Sequence, residues 1–585
     1  MPAIHLGKLE LHWCHNCNVP VLSKEPCSIC SEDPLPVKIT PPGDVRPAFE
    51  YDLDIIRETI DRQWGDGYWE DVVPRGKIVL LNSCPSMDRM DEVIIDGEVI
   101  GTLRYDLRRR FTGKPPYQFL IRPWKGLPKP KKGFVLMHIG AVKPIQDGAS
   151  ALAVGIMEAD TDIEPEDEVL ILDPHGYVIA TGPSFREGKE LLEAGSGKGI
   201  KTRWRTSDHV PLPKGQTWEQ VISANKKKLE SMVKGSVDFI RDKVHEFSLP
   251  AAVSYSGGKD SLATLLLALE ADIDMDMLFV DTGIELPETL ENVVKTAERY
   301  GLDLKYVDAK DGYWESVKYF GPSARDYRWC CKTCKLGPIA GLIKKNYPDG
   351  VLSFIGQRRY ESENRMQHGN TWNNPWIPGQ VGASPIQDWT ALHVWLFLFS
   401  REAEYNPWYE KGFERIGCWL CPASDLAELD ILKENYEGYE RFESVLKDYS
   451  ARTGLPQEWI DLGMWRWLEP PEDMMAILEQ RGIEIDEKLK KHHDKVDSKE
   501  ALSQMERAGF LIAAGDRNLS QKDIFELYLR AKHCLRCGVC SAMCPMDAIS
   551  TKDGIRIDKE ICTSCGRCID SKCPIVEFSA RMISC

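Results

Sequence analysis

The sequence predicts an α/β protein built on a doubly wound parallel sheet, with small cysteine-rich units at both ends. Three observations predict it. The apolar run Ala251–Ser254 reads as a buried strand, turns through Gly257 and Gly258, and continues into the apolar helical pattern Leu262–Leu269. Strand and helix patterns then alternate, with a second strand at Met277–Val280 and further strand-end segments at Phe354–Arg365 and Ser384–Thr390. Such alternation implies a parallel sheet with ligand at the carboxyl ends of its strands. Finally, all of the 19 cysteines except Cys84 and Cys585 lie in tight local sets, which suits metal and iron–sulfur centres better than dispersed disulfides.

The turn itself carries chemistry. A strand that turns through two glycines into a helix aims free N–H groups and a positive dipole end at one point, a cradle for phosphate. Gly257 and Gly258 let the backbone close around oxygens, Lys259 adds a point charge, and Ser256 and Ser261 add hydroxyl donors. The spacing is not the Walker pattern.

At 585 residues the chain is too long for one core and implies roughly three to five domains. Its 43% hydrophobic and 28% charged content is that of a soluble protein. No stretch has 18 consecutive apolar residues; the densest, Val394–Phe399, is far too short to span a bilayer. The start, Met-Pro-Ala-Ile-His, lacks a secretory layout, so a cytoplasmic protein without membrane contact is expected. A net charge of −16 argues against nucleic-acid binding over the whole surface. Two local basic stretches, Arg104–Lys132 and Lys198–Lys228, leave room for one positive face.

In chain order, residues 1–45 hold Cys14-x2-Cys17 and Cys27-x2-Cys30, the spacing of a structural four-thiolate zinc ribbon. A proline-rich linker leads to a small α/β domain over 46–130, in which Cys84 reads as a buried filler. Residues 131–208 show short strands (Phe134–Ile139, Ala151–Gly155, Glu168–Leu172, Tyr177–Thr181) between Gly, Pro and Asp turns, the pattern of a small barrel. The nucleotide-loop domain spans 215–470, and a charged helical linker, with His492 and His493 read as solvated, spans 471–530. The tail, 531–585, carries Cys534-x2-Cys537-x2-Cys540-x3-Cys544-Pro and Cys562-x2-Cys565-x2-Cys568-x4-Cys573-Pro. The first is the bacterial two-cluster ferredoxin run, in which the fourth cysteine serves the other [4Fe-4S] cluster. One cluster then takes Cys534, Cys537, Cys540 and Cys573, and the other Cys562, Cys565, Cys568 and Cys544. The x4 spacer departs from the pattern and loosens that loop.

Several stretches resemble known families. Ser256–Ser261 resembles the PP-loop of the ATP pyrophosphatases, which implies an adenine nucleotide alpha hydrolase-like fold with Ser256, Gly257, Gly258, Lys259, Asp260 and Ser261 at the nucleotide and Mg²⁺ brought with it. Gly148-Ala-Ser, Gly155-Ile, Glu168–Leu172 and Gly176–Gly182 resemble the PUA domain, an RNA-binding module. Arg203-Trp204-Arg205 at its end adds charge and a stacking surface. Asp281–Thr289, Phe354–Arg365 and Ser384–Thr390 are similar to the phosphoadenylyl-sulfate (PAPS) reductase family. That similarity implies Asp281 beside the nucleotide, and Arg358, Arg359 and Arg365 on phosphate or sulfate oxygens. Cys330-Cys331 with Cys418-x2-Cys421 resembles the [4Fe-4S] ligand set of iron–sulfur adenylyl-sulfate (APS) reductases. Sequence does not separate that cluster from a four-thiolate zinc site, and Cys334 is extra, either a replacement ligand or a free thiol at the site.

Two reactions compete. In one, ATP adenylates an RNA base, with tRNA as the expected partner, and sulfur replaces its oxygen. In the other, APS or PAPS is reduced to sulfite with electrons from an external donor through the tail. The complete ATP-type loop and the PUA-like barrel favour sulfur insertion into RNA. The reductase reading expects a nucleophilic cysteine on a tail, for which Cys585 is the candidate. Lys259, Asp260, Asp281, Arg358, Arg359 and Cys334 are the expected catalytic residues under either.

Overall fold

The computed structural model describes residues 5–209, 211–212, 214–485, 497–578 and 581. The chain divides into two compact units, one of Met1–Lys234, Arg358–Gln367 and Asp388–Glu414, the other of Gly235–Gln357, His368–Gln387 and Arg415–Cys585.

In the first unit, the hairpin His12–Cys14 and Val19–Val21 with Leu35–Pro36 forms a three-stranded antiparallel sheet around Trp13, which is fully buried. A five-stranded antiparallel sheet follows, in chain order from Arg46–Pro47 to Tyr117–Ile121, and the helix Glu50–Trp64 buries Ile56, Ile60 and Trp64 against it. The small barrel of residues 133–205 has Phe134–Met137 between Ile156–Ala159 and Glu168–Leu172, then Val178–Pro183 and Trp204–Arg205. Here the structure corrects the sequence reading. Ala151–Gly155 is not one strand: Ala151–Leu152 pairs with Lys198–Ile200, a short 3₁₀ turn follows, and the sheet strand begins at Ile156. Several residues of the two basic stretches are paired with carboxylates. Arg109 pairs with Asp167 at 2.7 Å, Arg122 with Glu92 at 2.8 Å, Arg203 with Glu168 at 2.6 Å, and Lys114 with Glu164.

The same unit buries an ion network that no motif announces. Asp52, 1% exposed, accepts from Arg46 at 2.7 and 3.0 Å and from Arg89 at 2.5 Å, and Arg89 also reaches Asp91 at 3.0 Å. Its second task is local: it accepts the Phe49 N–H at 3.0 Å and caps the helix Glu50–Trp64.

The second unit contains the predicted sheet. We label its strands β1 (Ala251–Ser254), β2 (Met275–Asp281), β3 (Leu304–Asp308), β4 (Val351–Ile355), β5 (Thr371–Asn373) and β6 (Gln380–Ala383). Their order is β3-β2-β1-β4-β6-β5, parallel except for β5, which runs antiparallel to β6. The order reverses between β1 and β4, so the crevice at their carboxyl ends is the place where such sheets bind ligands. The linker region carries helices at Glu472–Glu479, Ser498–Ala508 and Phe510–Ala514; His492 and His493 fall outside the described residues, as does Cys585. No helix among the described residues is long and apolar enough to cross a membrane.

Burial alone would raise the Asp52 carboxyl, but Arg46 and Arg89 outweigh it and hold it at about 2. A carboxyl lowered on folding stabilises the fold fully above its unfolded value and loses that contribution as pH falls through the folded one. Acid should therefore destabilise this unit progressively between about pH 4 and pH 2. Asp52→Ala leaves the buried Arg46 and Arg89 with only Glu414 and Asp91 as carboxylate partners and should cost about 3–5 kcal/mol in urea melts followed by tryptophan fluorescence. A loss below about 1 kcal/mol would show that the network does not hold the unit.

Candidate nucleotide site and cysteine centres

The loop between β1 and the helix Lys259–Glu270 is built to receive an anion. Gly257 has φ +74°, and a Cβ there would lie 2.8 Å from Thr289 Cγ2, so only glycine fits. Ser261 Oγ donates to the Gly258 carbonyl at 2.8 Å and accepts the Ser256 N–H at 3.2 Å, which closes the turn from within. The first N–H groups of the helix, lacking intrahelical partners, face the turn. Lys259 is 3% exposed and its ammonium is held at 2.8 Å by Asp260, so both side chains are fixed in place.

Asp281 ends β2, the strand beside β1, and is 1% exposed. It accepts from the Tyr306 hydroxyl at 2.5 Å and from the Gly283 N–H at 2.9 Å, and Lys310 stands 3.5 Å away. Neither Tyr306 nor Lys310 belongs to a motif, and no sequence signal marked them. Of the three arginines expected on phosphate or sulfate, each already holds a carboxylate within the first unit. Arg358 forks onto Asp44 at 2.6 and 2.9 Å, Arg359 reaches Asp388 at 2.5 Å, and Arg365 pairs with Glu361.

The Cys418–Cys421 turn stands on the loop that leaves β2. Cys418 Sγ approaches Thr282 Oγ1 at 3.5 Å and Glu285 Oε1 at 3.4 Å, and the Trp419 N–H donates to the Ile284 carbonyl at 2.9 Å. Cys421 closes the same turn through its N–H to the Cys418 carbonyl, 3.1 Å. Cys330 precedes a single turn of π-helix, Cys331–Leu336, a distortion common at functional sites. Trp329, stacked between Tyr313 and Phe320 at 5.3 and 5.2 Å, fixes that turn in the core. The Cys330 thiol pulls Cys331 down to about 6 against burial, helped by Arg328, Lys335 and Lys332. Burial instead pushes Cys334 up to about 12 and keeps it a neutral thiol, although its sulfur sits 3.3 Å from the Thr333 hydroxyl, which pulls the other way. Burial pushes the Tyr313 hydroxyl up, the charges of Cys330, Cys334 and Cys418 add to it, and the Ser323 hydroxyl opposes it.

The other cysteines also converge. The sulfurs of Cys14, Cys17, Cys27 and Cys30 lie within 4.8 Å of one another, with Cys14 and Cys30 3.4 Å apart. A single tetrahedral ion bonded at about 2.3 Å would require edges of about 3.8 Å, which this foursome matches. No other set among the described residues brings three or more such ligand atoms that close. The tail thiols instead line two spaces. Cys534, Cys537, Cys540 and Cys573 line one, and Cys544, Cys562, Cys565 and Cys568 line the other. This is the crossed grouping that the spacing implied.

The chain matches the phosphoadenosine phosphosulfate reductase domain over residues 250–424 and the PUA domain over residues 133–204. The class is thus a PAPS-reductase-domain protein with a PUA module. Within that class the chain belongs to the family of "Uncharacterized protein MJ0066" of Methanocaldococcus jannaschii, to which it is 36% identical over 484 residues, 79% of this chain and 97% of the relative. An adenosine 5'-phosphosulfate reductase of Geobacillus kaustophilus is 26% identical over 220 residues, 36% of this chain and 92% of that enzyme. The phosphoadenylyl-sulfate reductase of Candida auris, solved as a phosphate complex, is 18% identical and covers 33% of this chain and 96% of its own, with a TM-score of 0.26.

Gly257→Ala imposes a strained φ and a contact with Thr289 at the mouth of the cradle. Adenine-nucleotide affinity measured by calorimetry should fall at least roughly tenfold with the circular dichroism unchanged. Undiminished affinity would place the nucleotide elsewhere.

Proposed function

We propose that this protein is a sulfonucleotide reductase that forms sulfite from an adenylyl sulfate. A [4Fe-4S] cluster on Cys330, Cys331, Cys418 and Cys421, two more in the tail and a structural zinc ion on Cys14, Cys17, Cys27 and Cys30 would complete it. The observation that carries this reading is how the tail packs. A Cβ on Gly337 would lie 2.3 Å from the Cys537 carbonyl, and Gly337 opens the helix that continues directly from Cys331–Leu336. A redox module seated on the segment bearing Cys331 serves a reaction that consumes electrons. Sulfur insertion driven by ATP would draw electrons only to regenerate its sulfur carrier, whereas in sulfonucleotide reduction the conversion of substrate itself consumes them.

The chemistry needs two electrons. The bond between sulfur and the nucleotide's phosphate oxygen breaks, sulfur falls from the sulfate to the sulfite level, and the adenylate keeps the oxygen. The loop amides and Lys259 would hold the phosphate and stabilise the leaving adenylate. Asp281, fixed by Tyr306 and Gly283, would orient the nucleotide beside β2. Clusters, when bound, supply one electron at a time at low potential. Cys585 lies outside the described residues, but Arg581 is buried and donates to the carbonyls of Pro322, Trp465 and Trp467 at 2.9, 2.8 and 2.6 Å. We assign Cys585 as the thiol that attacks sulfur: the S–O bond breaks as the adenylate leaves, a Cys–S–SO₃⁻ bond forms, and two electrons and a proton then cleave that S–S bond to sulfite and the free thiol.

A second reading, ATP-dependent sulfur insertion into RNA, is favoured by the complete loop and by the PUA domain. One comparison separates them. Protein purified without oxygen is given APS or PAPS with reduced viologen, or ATP with bulk tRNA, and sulfite and pyrophosphate are measured. Sulfite from the sulfonucleotide is expected, reduced roughly 100-fold or more in Lys259→Ala and lost in Cys585→Ser. RNA-stimulated pyrophosphate release without sulfite would replace this proposal with the second reading. Metal analysis should return about twelve iron atoms and one zinc per chain, and iron without zinc would remove the ribbon assignment.

A further inference from the structure

The two thiol-lined spaces of the tail are electrostatically unequal: Arg530 and the half-exposed Lys572, which is paired with Glu577, line one, and no charged side chain lines the other. Arg530, on the helix Gln521–Lys532, is 7% exposed and lines the space of Cys534, Cys537, Cys540 and Cys573. Its terminal nitrogens donate to the Cys568 and Ser571 carbonyls at 3.0 and 3.1 Å, while its Nε is buried with no partner among the described residues. No carboxylate pairs with it in these contacts. A buried cation so placed is costly unless something negative shares its cavity. The space of Cys544, Cys562, Cys565 and Cys568 contains no charged side chain in its lining, and Cys565 is exposed to solvent.

The same inner space faces the nucleotide domain. Val539 and Ala542 pack with Ile339, Ala340 and Ile343 of the helix that begins at Gly337. Lys344 on that helix donates to the Ser541 and Cys544 carbonyls, at 2.9 and 2.5 Å, and Arg536 reaches Glu315 at 2.6 Å. The thiol set beside Arg530 is therefore the one that abuts the Cys330–Leu336 segment.

We propose that Arg530 is a positioning residue that gives the tail a direction. It raises the reduction potential of the group held by Cys534, Cys537, Cys540 and Cys573 above that of the group held by Cys544, Cys562, Cys565 and Cys568. An electron from a one-electron, low-potential carrier enters at the exposed Cys565 side, leaves that site oxidised as it found it, and reduces the inner site next to the nucleotide domain. Two such transfers match the two electrons that sulfite formation consumes. A positive charge in a low-dielectric cavity favours the reduced, more negative state of its neighbour. Solvent at Cys565 favours reduction of the outer site, and the buried charge of Arg530 is what sets the inner site above it. This inference rests on the iron–sulfur reading of the tail.

The test is a redox titration of the anaerobic full-length chain followed by electron paramagnetic resonance. Cys573→Ser perturbs the inner signal and so assigns it. Arg530→Gln removes the charge while keeping a donor for the Cys568 carbonyl, and Arg530→Lys keeps the charge. The inner signal should titrate at the higher potential in the native chain and in Arg530→Lys, and shift to lower potential in Arg530→Gln, with iron content unchanged. A potential unmoved in Arg530→Gln, or an inner site that titrates below the outer one in the native chain, would overturn the proposal. Absence of iron from the tail would instead remove the iron–sulfur reading on which it stands. If Arg530→Gln loses iron, Arg530→Lys decides: a native potential in that variant supports the charge, and a lowered one overturns it.

Discussion

The structure depends on one seating: the Cys418–Cys421 turn rests on the loop that leaves β2. That loop begins with Asp281 and continues through Thr282, Ile284 and Glu285, each of which touches the turn or its sulfur. The thiols are thereby fixed relative to the strand ends where a parallel sheet binds its ligand. Three main-chain and side-chain contacts of this kind are individually modest, near 1 kcal/mol each. Their value lies in placement, because a thiol set held by a rigid strand end cannot drift away from the nucleotide loop.

A chain of close packing extends from that point. The π-turn Cys331–Leu336 becomes the helix at Gly337, and the absence of a side chain there admits the Cys537 loop of the tail. The Lys344 ammonium then holds the carbonyls that end the Cys537–Cys544 run. These contacts make the tail part of the same compact unit as the sheet. A thiol-rich domain joined by a mobile linker would need none of them.

Much of this was legible in the sequence because its signals are local. The strand–glycine–glycine–helix turn specifies its own geometry through φ +74° at Gly257, and cysteine spacing alone grouped Cys573 with the first run and Cys544 with the second. What stayed hidden depends on long-range pairing. Asp44 lies 314 positions from Arg358, so the guanidinium assigned to sulfate was already occupied by a carboxylate no motif connects to it. Glu285 and Thr282 sit inside a stretch singled out as similar to the PAPS reductases, yet only the fold brings Cys418 onto them. The basic run 104–132 looked like a binding face because its acidic partners, Asp167 and Glu164, come from another strand connection. Arg530 gave no signal at all: an arginine near a helix end is ordinarily a surface residue, and only burial without a counter-charge distinguishes it.

In the proposed reductase a sulfonucleotide binds against iron held by Cys330, Cys331, Cys418 and Cys421. Mössbauer spectra of the ⁵⁷Fe-enriched full chain, recorded with and without adenylyl sulfate, address it directly. About one third of the iron, the share of one cluster in three, is expected to change its parameters on binding while the rest stays constant. A spectrum unaltered at saturating nucleotide would contradict it.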